Sequence, residues 1–211
     1  MMDDFQRENL LLWKREAAFG DATALYGYRF QKNNGSVPQM KEARTYVENW
    51  DKMKSENLGL LFWGLAGNGK TFAAACIANA LIERFVDVKM CTFGTILNHL
   101  PGMSAREKDD YIKCFRNCDL LILDDFGMKR RTDYAREQIF GIIDGRYLSR
   151  KPTIITTNLS LQELKNPCDI TEKRIFDRVL EMCIPVCFDG ESLRQEKAKE
   201  NLKLYKQLTG K

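Results

Sequence analysis

The stretch LGLLFWGLAGNGKT, residues 58–71, decides the fold. Its first six residues are almost entirely apolar and predict a short buried strand, and its last eight match the phosphate-loop pattern G-x-x-x-x-G-K-[ST]. Glycines let the backbone approach an anion closely, so that several N–H groups and the positive end of the next helix point at phosphate oxygens. The Ala-rich residues 71–85 predict that helix. Strand, loop and helix therefore follow in the order that binding of a triphosphate requires.

The loop positions carry distinct predicted roles. Lys70 is expected to reach the β and γ phosphates, and Thr71 to place its hydroxyl on a Mg²⁺ ion that bridges them. A chance glycine-rich turn is the alternative for any short motif, and the flanking strand and helix argue against it. The predicted nucleotide-binding residues here are Gly64, Leu65, Ala66, Gly67, Asn68, Gly69, Lys70, Thr71 and Phe72.

A second apolar run ends in two carboxylates. DLLILDDFG, residues 119–127, predicts a buried strand that delivers Asp124 and Asp125 to its carboxyl end, where ligands bind in open α/β sheets. This is the Walker B pattern. Asp124 is expected to hold Mg²⁺ together with Thr71, directly or through water, and Asp125 to orient and deprotonate an attacking water.

A third apolar run, KPTIITTNLS at residues 151–160, ends in polar side chains. Asn158 at its tip is placed to hold the nucleophilic water beside the γ phosphate, in the manner of a sensor 1 asparagine. It could instead begin the next helix, because Ser160 and Glu163 follow it. Strands and helices alternate along the chain, which predicts an α/β fold with a parallel sheet covered on both faces.

Length and composition suit one domain with a modest extension: 211 residues, 44% hydrophobic, with a net charge of +4. No apolar run is long enough to span a bilayer and the N-terminus begins acidic, so we expect a cytoplasmic protein without membrane association. The seven cysteines are an odd number and lie mostly in apolar stretches, which favours reduced thiols over a metal site.

Two segments are strongly basic. Lys129, Arg130 and Arg131 form a continuous run, and residues 191–211 carry more Lys and Arg than Glu. Either could contact the phosphates of a nucleic acid. Each could equally be a solvated surface, because a mild net charge alone does not identify a nucleic-acid-binding protein.

Together the motifs resemble the DnaC and IstB branch of the AAA+ ATPases, the bacterial and phage helicase loaders. The resemblance covers roughly residues 45–194 and also rests on EQIFGIIDGRYLSRKPTIITTNLS and on RIFDRVLE at residues 174–181. The Asp-Asp pair in place of Asp-Glu is typical of this branch. The resemblance implies a P-loop NTPase of the AAA+ type with a central parallel five-stranded sheet. Few residues follow Asn158, so we expect no large C-terminal helical lid.

Further residues take their roles from this resemblance. It implies that Arg178 is an arginine finger for the γ phosphate of a neighbouring subunit, with Arg174, one helical turn earlier, as the alternative. Arg194 matches the sensor 2 position. Residues 94–117 match the helical insertion that helps initiator-type members line a channel for single-stranded DNA. The candidates for DNA contact there, each also explained by a solvated surface, are Lys108, Lys113 and Arg116.

The resemblance also implies organisation and function. Residues 1–38 are expected to form an N-terminal helix and linker, a candidate partner-binding segment, ahead of an ATPase domain at residues 39–211. The expected function is an ATPase that binds ATP, ADP and Mg²⁺, assembles as a nucleotide-dependent homo-oligomer on single-stranded DNA, and loads or remodels a DnaB-like replicative helicase. The alternatives are an IstB-like transposition helper and a nucleotide-switched helicase-binding adaptor or inhibitor. Tyr26 and Phe30 are candidates for stacking on adenine.

Overall fold

The computed structural model describes residues 3–33, 35, 37–127, 132–167, 169–190 and 192–209. The α-helices are α1 (Asp4–Phe19), α2 (Met40–Glu48), α3 (Trp50–Ser55), α4 (Lys70–Glu83), α5 (Phe93–His99), α6 (Ala105–Asn117), α7 (Asp133–Leu148), α8 (Leu161–Lys165), α9 (Ile170–Met182) and α10 (Leu193–Thr209). The strands are β1 (Gly59–Trp63), β2 (Val88–Thr92), β3 (Leu120–Phe126), β4 (Thr153–Thr157) and β5 (Cys183–Cys187). Short 3₁₀ segments cover Thr23–Gly27 and Phe30–Lys32.

The five strands form one parallel sheet in the order β2-β3-β4-β1-β5. Leu61 of β1 pairs with Ile155 of β4 on one side and with Pro185 of β5 on the other. Strands β1 and β3 are apolar along most of their length, and all five residues of β4 are buried, because helices cover both faces of a parallel sheet. The predicted five-stranded parallel sheet is confirmed.

Two apolar clusters fill the space between the sheet and its helices. One lies under α1, α2 and α4 and includes Phe62 and Ile77; the other lies under α5, α6, α7 and α9 and includes Ile142 and Val179. Helix α4 is buried on most of its surface because α1 and α2 cover the side that the sheet leaves free. This explains why its sequence is rich in alanine, which lets the neighbouring helices approach closely.

Helix α1 packs against α4 and β2. Leu11, Ala18 and Phe19 are its buried residues. On the same side, Arg15 forms an ion pair with Glu83 of α4 at 2.9 Å. The N-terminal helix therefore belongs to the same core cluster as the phosphate-loop helix.

The sequence predicts one helix over residues 39–54, and the structure corrects this to two, α2 and α3. At Asn49 the backbone leaves helical geometry, with φ −102° and ψ 22°, and its side-chain amide donates to the carbonyl of Thr45 at 2.9 Å. Such a local bond competes with the helical pattern. The capping box predicted from Ser104 to Glu107 is present at the start of α6.

The C-terminal part follows the prediction. After Asn158 the chain forms α8, α9, β5 and α10, so the described part of the chain has no large helical lid. The six cysteines that the structure describes are free. In those same residues, no group of three or more His, Cys, Asp and Glu side chains is placed to hold a metal, and no helix is both long and apolar enough to cross a membrane.

Arg146, near the end of α7, is fully buried. Its guanidinium donates hydrogen bonds to the hydroxyl of Thr153 and to the backbone carbonyls of Phe115, Arg116, Cys118, Asp119 and Pro152. Burial lowers the pKa of this guanidinium. The side chain joins the end of α6 to the amino ends of β3 and β4.

Candidate active site

The phosphate loop needs glycine both for its conformation and for its packing. Gly64, Gly67 and Gly69 have φ values of 130°, 93° and 91°, a region that residues with a Cβ rarely adopt. A Cβ on Gly64 would lie 2.3 Å from the carbonyl oxygen of Phe188, and one on Gly69 would lie 2.7 Å from a methyl of Val37. Segments from far along the chain therefore form the wall behind the loop.

Lys70 opens α4 at the end of this loop. Its ammonium donates to the carbonyls of Gly64 at 2.7 Å and Leu65 at 2.6 Å. Burial lowers the pKa of Lys70, and the nearby charges of Asp124 and Asp125 raise it in part. The charged group is thus held inside the curve of the loop, facing two carboxylates.

Three oxygen-bearing side chains meet at the base of the site. The Thr71 hydroxyl lies 3.0 and 3.1 Å from the two carboxylate oxygens of Asp124, and the Thr156 hydroxyl donates to one of them at 2.6 Å. Burial raises the pKa of Asp124, while the bonds from Thr156 and Thr71 lower it in part. Carboxylate and hydroxyl oxygens are the ligand class of hard divalent cations, so this donor set fits Mg²⁺.

Asp125 sits on a bulge at the end of β3. Its φ is +56°, and the pairing with β4 shifts register between Leu123 and Phe126. The Asp125 N–H donates to the hydroxyl of Thr156 at 2.9 Å, and its carboxylate accepts a bond from the Asn158 amide at 3.1 Å. Successive side chains of a regular strand point to opposite faces. The bulge is what lets neighbouring Asp124 and Asp125 line one cavity.

The motifs converge on a cavity of about 510 Å³ at the carboxyl edge of the sheet. The predicted residues that line it come from the loop, from β3, from the end of β4 and from the start of α10. The described residues that line it are Tyr28, Ala66, Gly67, Gly69, Lys70, Thr71, Phe72, Thr92, Asp124, Asp125, Thr156, Asn158, Leu193 and Arg194.

Three predicted loop residues do not line this cavity. Gly64 and Leu65 contribute carbonyls that accept bonds from Lys70. Asn68 is buried, and its amide donates to the carbonyl of Phe188 at 3.0 Å. Its side chain therefore fixes the loop to the β5–α10 connection.

Arg178 also lies outside the cavity. The buried residues of α9 are Ile175, Phe176, Val179 and Met182. Arg178 forms an ion pair with Asp144 of α7 at 2.7 Å. It does not reach the phosphate loop of its own chain.

The sequence also allows the simpler interpretation that Arg178 forms a salt bridge, for example with Glu181. The structure has such a salt bridge, but its partner is Asp144, while Glu181 accepts from the hydroxyl of Tyr147 at 3.0 Å. The guanidinium of Arg178 lies 4.9 Å from the ring centre of Phe140, which it shares with Arg174 at 4.3 Å. Both finger candidates thus rest on one aromatic side chain.

The family profile of IstB-like ATP binding proteins matches residues 9–201. The chain belongs to this family. It is 29% identical over 164 residues to the replicative helicase loader DnaC of Escherichia coli K12, covering 76% of this chain and 64% of DnaC. To the replicative helicase loader DnaI of Bacillus subtilis it is 26% identical over 184 residues, covering 81% and 59%. The chain spans less than two thirds of the length of either relative.

The fold of this IstB-like chain is shared with a crystal structure of the DnaC helicase loader, at a TM-score of 0.68 and 25% identity. The alignment covers 80% of this chain and 100% of that structure. The resemblance to the DnaC and IstB branch is therefore confirmed, as is the AAA+ architecture that it implies.

Sequence reasoning missed four cavity residues of the IstB-like chain, Tyr28, Thr92, Thr156 and Leu193. Tyr28 lines the cavity and contacts Phe72, with ring centres 5.2 Å apart. The predicted aromatics lie elsewhere: Tyr26 donates its hydroxyl to the carbonyl of Gly20, and Phe30 is buried. The aromatic content of the segment YGYRF was the available signal, but an irregular segment has no periodicity to show which ring faces the cavity.

Thr156 is another missed residue. Its hydroxyl joins Asp124 to the backbone of Asp125. The signal was present, because Thr156 stands at the same strand tip as Asn158. A buried strand threonine has many local explanations, so its position alone does not reveal this contact.

The predicted DNA contacts fall in three environments. Lys113 pairs with Asp109 at 2.6 Å on the exposed side of α6. Arg116 turns toward α7 and donates to the carbonyl of Gly141 at 3.1 Å. Lys108 is half-buried on α6. The basic run at residues 129–131 lies outside the described residues.

Proposed function

We propose that this IstB-like chain binds and hydrolyses ATP with Mg²⁺, assembles as a homo-oligomer on single-stranded DNA, and loads or remodels a replicative helicase. One observation carries the enzymatic part: Lys70, Thr71, Asp124, Asp125 and Asn158 line a single cavity. The names of the relatives DnaC and DnaI, both replicative helicase loaders, support the replicative role.

The roles follow from the geometry of these side chains. Lys70 and the loop amides would bind the β and γ phosphates. Thr71 and Asp124 would hold Mg²⁺, with Thr156 orienting the Asp124 carboxylate. When bound, the ion would offset the charge of the phosphates.

The exposed carboxylate of Asp125 would act on the attacking water. Asp125 would accept a proton from the attacking water. The amide of Asn158 would hold the Asp125 carboxylate in place through the hydrogen bond of 3.1 Å. Arg194 would contribute a further positive charge from the start of α10. Arg178, or Arg174 in its place, would act on the cavity of a neighbouring copy.

A second function shares this cavity. The family description supports an IstB-like transposition helper, which would bind duplex DNA and a transposase in place of single strands and a helicase. A nucleotide-switched adaptor of the helicase would bind ATP without appreciable turnover. Whether single-stranded or duplex DNA stimulates ATP hydrolysis distinguishes the helicase loader from the transposition helper. A very low turnover rate would identify the adaptor.

The decisive experiment measures ATP binding and turnover for Lys70→Ala and Asp125→Asn, with single-stranded DNA, duplex DNA and a DnaB-type helicase added in turn. Lys70→Ala should lose tight ATP binding because it removes a charge from the loop. Asp125→Asn should bind ATP as the wild type does and lose turnover by about 10²-fold or more, because it removes the proton acceptor and keeps the shape.

Lys52→Ala, at an exposed position of α3, is the matched control and should behave as the wild type. Normal turnover by Asp125→Asn would remove this residue from the proposed role. Stimulation by duplex DNA alone would favour the transposition helper.

A further inference from the structure

Helix α10 leaves the molecule as an exposed arm. After Arg194 its described side chains are exposed to the end of the helix at Thr209. Large apolar side chains are among them and fall on one half of its circumference. They are Leu202, Leu204, Tyr205 and Leu208, exposed by 53 to 78%. Exposed apolar surface of this kind marks an interaction site.

A basic stripe runs beside this apolar half. Lys199, Lys203 and Lys206 are four and three residues apart, so they share one side of the helix, next to Leu202. Lys197, elsewhere on the helix, is paired with Glu200 at 2.9 Å. Among the described residues, Lys199, Lys203 and Lys206 have no ion-pair partner, and they flank the apolar half on one side.

Helix α1 carries a second exposed apolar face. Phe5, Leu12 and Trp13 are exposed by 74, 53 and 62%. On a helix of about 100° per residue, Leu12, Phe5 and Glu16 lie within about 40° of one another. Trp13 lies about 60° beyond Glu16, and Glu8 about 40° to the other side of Leu12. All five side chains are exposed and together form the outward face of α1.

The basic side chains of α1 turn the other way, toward the protein. Arg7 lies over the ring of Phe85, Lys14 donates to the carbonyl of Phe85, and Arg15 pairs with Glu83. The outward face of α1 is consequently apolar with only acidic charges. It is complementary in both respects to α10, which is apolar with a basic stripe.

The two faces also match in length. Phe5 and Trp13 are separated by about 12 Å along α1, and Leu202 and Leu208 by about 9 Å along α10. The acidic pair of α1 and the lysine stripe of α10 extend over similar distances, so the apolar and charged contacts can form together.

The faces lie at opposite edges of the sheet. Helix α10 begins at the carboxyl edge, where the Leu193 N–H donates to the carbonyl of Gly67 at 3.0 Å. Trp13 lies at the amino edge, in a cavity that it shares with Val86 and Asn117. Since both faces are exposed within one copy, a contact between them must join two copies.

We propose that α10 of one copy docks its apolar half on the outward face of α1 in the next copy, with Lys199, Lys203 and Lys206 against Glu8 and Glu16. The contact is head-to-tail and repeats, so it builds a ring or an open helix. It rests on the self-assembly in the proposed function and assigns the surfaces that mediate it.

Helix α9 also reaches the amino edge of the sheet, on the opposite face from α1. The contact places the carboxyl edge of one copy, with its cavity, toward the amino edge of the next. Helix α9 ends at that amino edge, where Met182 precedes the first residue of β5, and Arg178 lies one turn earlier.

The test uses charge reversal in the full chain, with sedimentation velocity in the presence of ATP and an oligo-dT strand. One variant carries Glu8→Lys and Glu16→Lys; the other carries Lys199→Glu, Lys203→Glu and Lys206→Glu. Each alone should weaken self-association by about tenfold or more, because like charges then face each other. Mixed together they should regain it, since each α1 then meets an α10 of opposite charge on the other chain.

Glu48→Lys with Glu56→Lys, two exposed positions of α2 and the turn after α3, is the matched control and should assemble as the wild type. Binding of a fluorescent ATP analogue should be unchanged in every variant, because none of these residues lines the cavity. Variants that assemble normally alone, or a mixture that stays dissociated, would overturn the inference. A wild-type chain that never self-associates would also overturn the inference. The ATP turnover of the Lys70 and Asp125 variants tests the enzymatic proposal separately.

Discussion

Asp124 and Asp125 are neighbours in sequence with opposite environments. Asp124 lies half-buried under the hydroxyls of Thr71 and Thr156, and burial raises its pKa. Asp125 is exposed, and its carboxylate accepts a hydrogen bond from the amide of Asn158. Paired carboxyl groups in different surroundings can take different tasks. Here one suits a cation and the other a water molecule.

This difference predicts a conflict between stability and function at Asp124. Burial raises the pKa of Asp124 in the folded chain above its value in the unfolded chain. This difference stabilises the folded chain at a pH below the unfolded pKa, and the stabilisation is lost as the pH rises through the folded pKa. Without ATP and Mg²⁺, Asp124→Asn should therefore raise the Tm at pH 7.5, by about 2–4 °C for each kcal/mol gained. The gain should vanish toward acidic pH, while ATP turnover is lost.

Thermal unfolding from pH 3 to 8 measures this effect, with Asp177→Asn at an exposed position of α9 as the control. A lower Tm for Asp124→Asn at neutral pH would show that the hydroxyl bonds outweigh the burial of the charge.

Among elements of the fold, the amino edge of the sheet depends on one side chain of α7. Arg146 donates to carbonyls in the turn between α6 and β3 and in the segment before β4. These carbonyls lie in the last turn of α6 or in the connections between elements, where regular backbone donors end. A buried cation therefore replaces the backbone partners that they lack.

Arg146→Met should destabilise the chain by about 3 kcal/mol or more, because it leaves several buried carbonyls without donors. The free energy of unfolding in urea measures this, with Arg106→Met at an exposed position of α6 as the control, expected within about 0.5 kcal/mol of the wild type. Arg146→Lys should fall between them. Equal stability of Arg146→Met and the wild type would mean that water satisfies these carbonyls.

The elements also show what the sequence can and cannot reveal. Strands β1, β3 and β4 are predictable because a central parallel strand is covered on both faces and therefore contains a short apolar run. The motifs at their carboxyl ends follow from that placement. The break at Asn49 depends on a side-chain bond that no apolar pattern records. The ion pair of Arg178 with Asp144 joins two helices that are distant in sequence, so the sequence around either residue does not predict it.

For the whole molecule, the placement of Arg178 predicts shared active sites. It lies outside the cavity of its own chain and is held by Asp144. Arg178→Ala alone should bind ATP without hydrolysing it, and Lys70→Ala alone should do neither. A mixture can join an intact cavity on one copy to an intact arginine on the next, so turnover should partly recover on single-stranded DNA. Arginine fingers contribute about 10³ to 10⁵ in rate.

The measurement is steady-state ATP turnover of each variant and of equal mixtures, with Arg174→Ala in parallel. Full activity of Arg178→Ala would show that Arg178 is not an arginine finger. Loss of turnover in Arg174→Ala would then assign the role to Arg174. A mixture as inactive as its parts would show that Arg178 does not act between copies.

The wall behind the phosphate loop has a consequence for synthesis of the protein. Phe188 and Leu193 bind Asn68 and Gly67, residues made about 120 positions earlier. A ribosome adding about 5–20 residues per second needs roughly 6–24 s to cover that interval. During that time the nascent chain has its glycine motif and Val37 but lacks Phe188 and Leu193, which form the rest of the wall. Incomplete chains that end before Phe188 should therefore bind nucleotide more weakly than the full-length protein.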